Sequence, residues 1–180
     1  MGMTIRAAAP LDPATVLPDA LVLQQLKLDT LDATAEALRL TALQFVEKRS
    51  CVSLQRRAWV ATLDGFGDGL ITLPREPVSE VSRVTYVDQL GGTCDAVGLW
   101  RLVDDRLAPV VAGWWPTTSR GAGVAKIEFV AGYEDLAVDA PTLRTAALLL
   151  IQHLYDGGNL DEVPKSFTML CDIDRVPVAG

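Results

Sequence analysis

Residues 124–131 have the sequence VAKIEFVA, in which apolar and polar side chains alternate. The apolar positions from Ala125 to Ala131 would share one face of an extended strand, with Lys126 and Glu128 on the other. Such a strand covers a core on one side only. The stretch therefore predicts a half-buried β-strand around which the fold is built.

The preceding segment, from Gln55 onward, has further short runs rich in β-branched and aromatic residues, separated by Gly, Pro and Asp. With the quoted stretch, these runs predict strands at residues 57–63, 70–73, 81–88, 98–103, 107–111 and 123–131. Turn residues at 64–65, 67–69, 91–92 and 104–105 would join neighbouring strands locally. We therefore expect a largely antiparallel meander.

A helix is expected over residues 29–49, where leucine, alanine and phenylalanine recur at spacings of three and four. Asp29 lies near its start, and Lys48 and Arg49 lie near its end, as the helix dipole prefers. A shorter helix is expected over residues 19–26.

A further helix would begin at Pro141, which suits a first helical position, and stop at Gly157-Gly158. No charged residue lies between Arg144 and Asp156. An amphipathic surface helix would show a polar stripe there. This helix is therefore either buried by the sheet and the first helix or partly covered by another subunit.

These patterns predict an α+β fold in which helices pack on a small, mostly antiparallel sheet, followed by an extended C-terminal tail. Residues 1–18 are expected to form a flexible N-terminal arm, residues 19–158 the folded domain, and residues 159–180 a C-terminal extension. This extension would order only against a partner.

The composition narrows the classes of function. The chain has 180 residues and a formal net charge of -7, which argues against a protein that holds nucleic acid by neutralising phosphates. Its most apolar run, residues 146–151, is far too short to span a bilayer, and the N-terminus has no apolar stretch typical of a secretory signal. We expect no membrane association, and a chain that stays in the cytoplasm.

No set of catalytic residues is recognisable in the sequence, and the pairing of a cysteine with the single histidine lies in no known motif. His153 is the only histidine, lies within an apolar helix, and is interpreted as a core side chain with a satisfied hydrogen bond. Cys51, Cys94 and Cys171 form no metal-binding or disulfide pattern. The glycines at 65–69 lack the Lys-Ser/Thr of a phosphate loop and are interpreted as a turn. We therefore expect no enzyme, cofactor or metal.

Two features indicate protein contacts. Trp114 and Trp115 are adjacent in a loop, so at most one is expected to be exposed, and Trp114 is a candidate interface residue. Leu40 and Leu43 fall on the polar face of the first helix. This pair would contact either the second helix or a neighbouring subunit.

Several strings, in this order, resemble the head-tail connector (adaptor) family of tailed phages and gene transfer agents. The resemblance covers residues 19–158. The strings are FVE (45–47), Trp59, LDGF (63–66), ITLPREPV (71–78), VSRVTYVD (81–88), WP (115–116), VAGY (130–133) and the helix 148–155 with His153.

The resemblance implies a structural virion protein without catalytic residues. It would form a ring, twelvefold by analogy, between the portal protein and the next neck or tail component. This homo-oligomer would line the channel through which DNA passes transiently during ejection. A negatively charged channel wall would let DNA slide rather than adhere.

Connectors of this family are expected to grip the portal through a C-terminal extension. We therefore expect Phe167, Met169 and Leu170 to dock there. Two alternatives remain: a neck stopper or tail-completion protein, and a β-rich ligand-binding domain that uses the Trp114-Trp115 loop.

Overall fold

A computed structural model describes residues 2–111 and 114–175 of the protein. The strands are β1 (Met3–Ala7), β2 (Arg57–Leu63), β3 (Ile71–Thr72), β4 (Val78–Val87), β5 (Thr93–Asp95), β6 (Trp100–Val103), β7 (Arg106–Pro109) and β8 (Ala125–Ala131). The helices are α1 (Pro13–Val16), α2 (Asp19–Leu26), α3 (Ala33–Ser50), α4 (Leu136–Asp139), α5 (Pro141–Tyr155) and α6 (Lys165–Ile173). The predicted α+β class is confirmed.

The described chain divides into two compact units. The sheet unit comprises residues 2–10 and 56–132, and the helical unit comprises residues 11–55 and 133–175. Each unit has its own hydrophobic core. This division differs from the expected single domain over 19–158, because the N-terminal strand belongs to the sheet and the C-terminal helix belongs to the helices.

A five-stranded antiparallel sheet in the order β1-β2-β8-β4-β5 is built around the strand that the sequence predicted most clearly. β8 pairs with β2 on one side and β4 on the other, so that Phe129 lies opposite Trp59 and Val81. Antiparallel pairing is therefore confirmed, but the predicted meander is wrong. β8, which lies far from β2 in sequence, pairs along both of its edges, so consecutive strands are not neighbours throughout the sheet.

Local hairpins form at two of the predicted turns. In the β4–β5 hairpin, Oδ1 of Asp88 accepts hydrogen bonds from the amides of Leu90 (2.9 Å) and Gly92 (2.8 Å), and backbone donors of this kind lower the pKa of Asp88. Asp104 and Asp105 join β6 to β7 with φ of 46° and 61°, as a two-residue type I′ turn requires. β6 and β7 complete a second, three-stranded sheet with β3.

The segment expected to be a flexible arm contains two ordered elements. β1 pairs with β2 in antiparallel register from Met3 opposite Leu63 to Ala7 opposite Trp59. Its inward side chains, including that of Ile5, pack on the core of the sheet unit. The backbone hydrogen bonds to β2 and the burial of every second side chain hold this segment on the sheet. The second ordered element is α1, which belongs to the helical unit.

The helical unit is built on α3 and α5. α3 begins where Oδ1 of Asp32 accepts a hydrogen bond from the amide of Ala35 (2.7 Å), and it ends at Cys51, which is left-handed with φ of 61°. α5 packs against the other helices, so burial within the chain accounts for its uncharged run. No helix within the described ranges is long and apolar enough to cross a membrane.

Part of the segment expected to be an extended tail is helical. α6 follows Pro164 and inserts Phe167 and Cys171 fully into the helical core. Phe167, Leu170 and Cys171 follow one another at spacings of three and one, so they lie on one face of the helix. The sequence does not predict this helix because the apolar pattern is short and lies among prolines and charged residues. Residues 176–180 of the predicted extension lie outside the described residues.

Candidate interaction surfaces

His153 has a structural contact. Its Nε2 lies 2.9 Å from the carbonyl oxygen of Asn159, and a side chain at Gly158 would collide with the imidazole ring. Oδ1 of Asn159 accepts hydrogen bonds from the amides of Asp161 and Glu162, both at 2.9 Å. The histidine therefore fixes the loop between α5 and α6. Within the described ranges, no group of three His, Cys, Asp or Glu residues could hold a metal ion.

The two adjacent tryptophans separate as expected. Trp115 is buried, stacks on Phe66 with ring centroids 4.8 Å apart, and donates a hydrogen bond from Nε1 to the carbonyl of Gly69 (2.8 Å). Trp114 is 53% exposed. The glycine-rich segment therefore makes a packed turn over Trp115, and Trp114 remains available for a partner.

The two leucines on the predicted polar face of α3 have different environments. Leu43 is fully buried in the helical core, whereas Leu40 is 37% exposed. The face of α3 that is buried differs from the face that the apolar residues predict. It includes two polar side chains, Arg39 and Glu47, which both make hydrogen bonds. Arg39 binds Asp19 (2.5 Å) and Glu36 (2.6 Å).

The second of these polar side chains is Glu47, whose Oε1 accepts a hydrogen bond from the amide of Leu54 (2.9 Å). Buried polar groups with bonded partners lower the apolar character of a helix face. Amino-acid periodicity alone therefore misplaced the centre of the core face.

An exposed stripe of α3 surrounds Leu40. It consists of Ala37, Leu40, Thr41 and Gln44, which are all exposed and uncharged, and we call it the α3 stripe. The cores of protein interfaces are depleted in charged residues, and this stripe has none. Leu40 therefore remains an interface candidate, whereas Leu43 stabilises the subunit itself.

The three tail residues expected to dock on the portal do not share one surface. Phe167 is fully buried and lies 5.8 Å from the ring of Phe45. Leu170 is partly buried against the same core, and Met169 is 69% exposed. Of the three, Met169 presents the largest exposed surface to a partner.

A groove that the sequence did not indicate lies where α3 and α6 end. It is lined by Phe45, Lys48, Arg49 and Arg175, has a volume of about 290 Å³, and is called the cationic groove below. Arg49 and Arg175 both approach Asp172, at 3.5 Å and 4.0 Å. The sequence gives one sign of this groove, the pair Lys48-Arg49. Two cations at the end of a helix are equally well explained by the helix dipole, so the pair does not predict a groove.

Charge is distributed unevenly between the two units. The sheet unit carries nine Lys and Arg residues and nine Asp and Glu residues, whereas the helical unit carries seven and fourteen. The net charge of -7 therefore belongs to the helical unit, and the sheet unit is neutral. The cationic groove is a local exception within the acidic unit.

The helical unit also contains a small polar pocket. It is lined by residues that include Thr15, Glu134 and Arg144 and has a volume of about 120 Å³. Ligand pockets are usually larger, at about 300 Å³ or more. This pocket is too small to favour a small-molecule site.

Comparison with solved structures gives full-length likenesses. The chain is 25% identical to a chain in the neck of a native gene transfer agent (GTA) particle computed with C12 symmetry, with a TM-score of 0.78 and 98% of each chain covered. It is 26% identical to a chain in the virion of a native GTA particle, with a TM-score of 0.75 and coverage of 98% of this chain and 97% of that chain.

A chain in the neck of an empty GTA particle computed with C6 symmetry is 24% identical, with a TM-score of 0.77 and 98% of each chain covered. Neither a protein-family profile nor a curated protein matches the sequence. The likenesses confirm the predicted resemblance to the neck and connector proteins of phage-like particles. They also extend it from residues 19–158 to nearly the whole chain.

Proposed function

We propose that this chain is a structural, non-enzymatic subunit of the neck of a phage-like particle, and that it acts as the head-tail connector. The observation that carries the proposal is the 98% coverage of both chains, at a TM-score of 0.78, against a chain in a GTA neck. The match includes both units and α6, so it concerns a whole subunit rather than a widely shared motif.

In this proposal, copies of the chain form a ring between the portal and the next neck or tail component. The C12 symmetry used for the neck of the native GTA particle supports a ring of twelve. Cyclic symmetry also suits a subunit whose interface candidates lie on different elements, since a ring is closed by two different patches on each copy.

The acidic helical unit is proposed to face the DNA channel. Repulsion from exposed carboxylates would keep DNA from adhering to the wall. Replacing Asp29 and Asp139 with lysine should then slow DNA release from particles. The sheet-unit pair Asp68→Lys and Glu80→Lys is the matched control, since it also replaces two exposed carboxylates. Equal release rates in all three kinds of particle would contradict this placement.

Depletion and rescue of the chain tests the proposed role in particles. Without it, negative-stain images should show DNA-filled or leaking heads that lack attached tails, and re-expression should restore the tails. A tagged chain should be seen where head and tail meet. Normal particles without the chain, or a label at the tail tip, would overturn the proposal.

A neck stopper or tail-completion protein is the second candidate, because the likenesses name the neck without naming a position within it. Purified portal distinguishes the two roles. A connector binds the portal directly, whereas a stopper or tail-completion protein binds only to a neck that already holds a connector.

A further inference from the structure

The cationic groove and the loop between α5 and α6 have complementary chemistry. The groove is lined by Phe45 and by three cations, Lys48, Arg49 and Arg175, and the two arginines also approach Asp172. The loop presents the sequence Leu160-Asp161-Glu162, in which all three residues are exposed. One surface is basic and apolar, and the other is acidic and apolar.

The two surfaces lie at opposite ends of the α5–α6 pair. Arg49 reaches Asp172 near the end of α6, and Thr142, at the start of α5, is hydrogen bonded to Asp174. The groove therefore lies beside the start of α5, whereas the acidic loop follows its other end. An α5 of 15 residues is about 22 Å long, too far for the loop of one copy to fill its own groove.

Hydrogen bonds within the subunit organise the backbone of the acidic loop. Asn159 accepts hydrogen bonds from the amides of Asp161 and Glu162, and its carbonyl contacts His153. These contacts use backbone atoms of Asp161 and Glu162 and do not involve their carboxylates. A preorganised loop loses little conformational entropy on binding.

We infer that the cationic groove of one copy receives the Leu160-Asp161-Glu162 loop of the next copy. This inference rests on the proposed ring and identifies one of its contacts. Two different patches at opposite ends of a unit form a head-to-tail contact, which is the kind that closes a ring. Leu160 would pack on Phe45 while Asp161 and Glu162 pair with the cations.

A second copy fits the groove better than DNA does. The unit that contains the groove has twice as many acidic as basic residues, which would repel a polyanion on approach. A neighbouring copy brings a short segment in which an apolar side chain precedes two carboxylates, which complements an aromatic side chain beside cations.

Two charge-reversed variants test the inference. The groove variant carries Lys48→Glu and Arg175→Glu, and the loop variant carries Asp161→Lys and Glu162→Lys. All four side chains are exposed, so folding should survive. Assembly is followed by light scattering as a function of concentration, with and without purified portal, and Lys27→Glu and Glu80→Lys are the controls.

Each variant alone should require about tenfold or more protein to assemble, since like charges then face each other at every contact. An equal mixture should assemble as the wild type does, because each groove then meets a loop of opposite charge. The controls should behave as the wild type.

The other outcomes overturn the inference in distinguishable ways. If both variants assemble normally, the groove-to-loop contact is excluded, whereas the proposed ring is not. If only the groove variant fails and the mixture does not recover, the groove binds DNA or the portal instead. A wild type that stays monomeric with and without portal overturns both this contact and the proposed function.

Discussion

Arg39 links two helices from a buried position. Its guanidinium binds Asp19 in α2, Glu36 in its own helix and the carbonyl of Leu17 (3.1 Å), and its side chain is 5% exposed. Both carboxylates are largely solvated, so each ion pair contributes less than a buried one would. The residue therefore stabilises the unit through packing of its stem as well as through charge.

We expect Arg39→Ala to lower the free energy of unfolding by about 1–2 kcal/mol, because it removes these hydrogen bonds and the packed stem. Arg39→Met, which keeps the stem, should lose less. Lys48→Ala is the surface control and should stay within about 0.5 kcal/mol of the wild type. Urea unfolding followed by circular dichroism measures all three, and equal midpoints would refute the role given to Arg39.

Cys171 should be the least reactive of the three cysteines. Burial in the helical core raises the pKa of its thiol to about 11, so it stays protonated at neutral and mildly alkaline pH. The thiolate is the reactive form. Cys51 and Cys94 are partly exposed.

Ellman's reagent at pH 8 should therefore label two thiols quickly in the folded protein and the third only after denaturant is added. Cys171→Ser should leave the fast phase unchanged and abolish the slow one. Three fast thiols in the wild type would mean that α6 does not cover this site.

At the scale of elements, α6 belongs to the fold of the subunit. Phe167 is fully buried against Phe45, whereas Met169 and Ile173 are exposed on the same helix. Truncation at Gly158 would remove the docking candidates and also uncover the helical core. Substitutions on the exposed face are therefore the cleaner test of portal docking.

Phe167→Ala should lower the free energy of unfolding by about 3–5 kcal/mol, as cavities left by buried aromatic side chains do. Met169→Ser combined with Ile173→Ser should change stability little and should weaken binding to the portal if α6 docks there. Unfolding curves and portal pull-down separate the two effects. Portal binding that survives the surface pair would exclude this face of α6 from the contact.

The sequence predicts those helices and strands in which the spacing of apolar residues repeats over a continuous stretch of the chain. β2 was predicted at its observed bounds, and α3, α5 and β8 nearly so, because each repeats its periodicity over seven or more residues. β5 and α4 were missed because three or four residues carry too little pattern. The position of β8 between β2 and β4 depends on pairing between strands far apart in sequence, which no local signal encodes.

Among the candidate surfaces, too, local features can be predicted from the sequence, whereas contacts between distant segments cannot. Exposure of Trp114 beside a buried Trp115 follows from strand-like alternation, and this expectation agrees with the structure. The cationic groove could not be predicted, since Arg175 joins Lys48 and Arg49 only once α6 packs beside α3.

The whole molecule combines a neutral sheet unit with an acidic helical unit. Its candidate contact surfaces are the α3 stripe, Trp114, Met169, the cationic groove and the acidic loop. Their separation over several elements suits a subunit with neighbours on more than one side.

The mass of the purified chain, alone and mixed with the portal of its own particle, shows whether the chain forms a connector ring. Light scattering combined with negative-stain imaging should show a ring, free or on the portal, with about twelve copies if the symmetry follows the GTA neck. A strict monomer that ignores the portal would contradict the connector account.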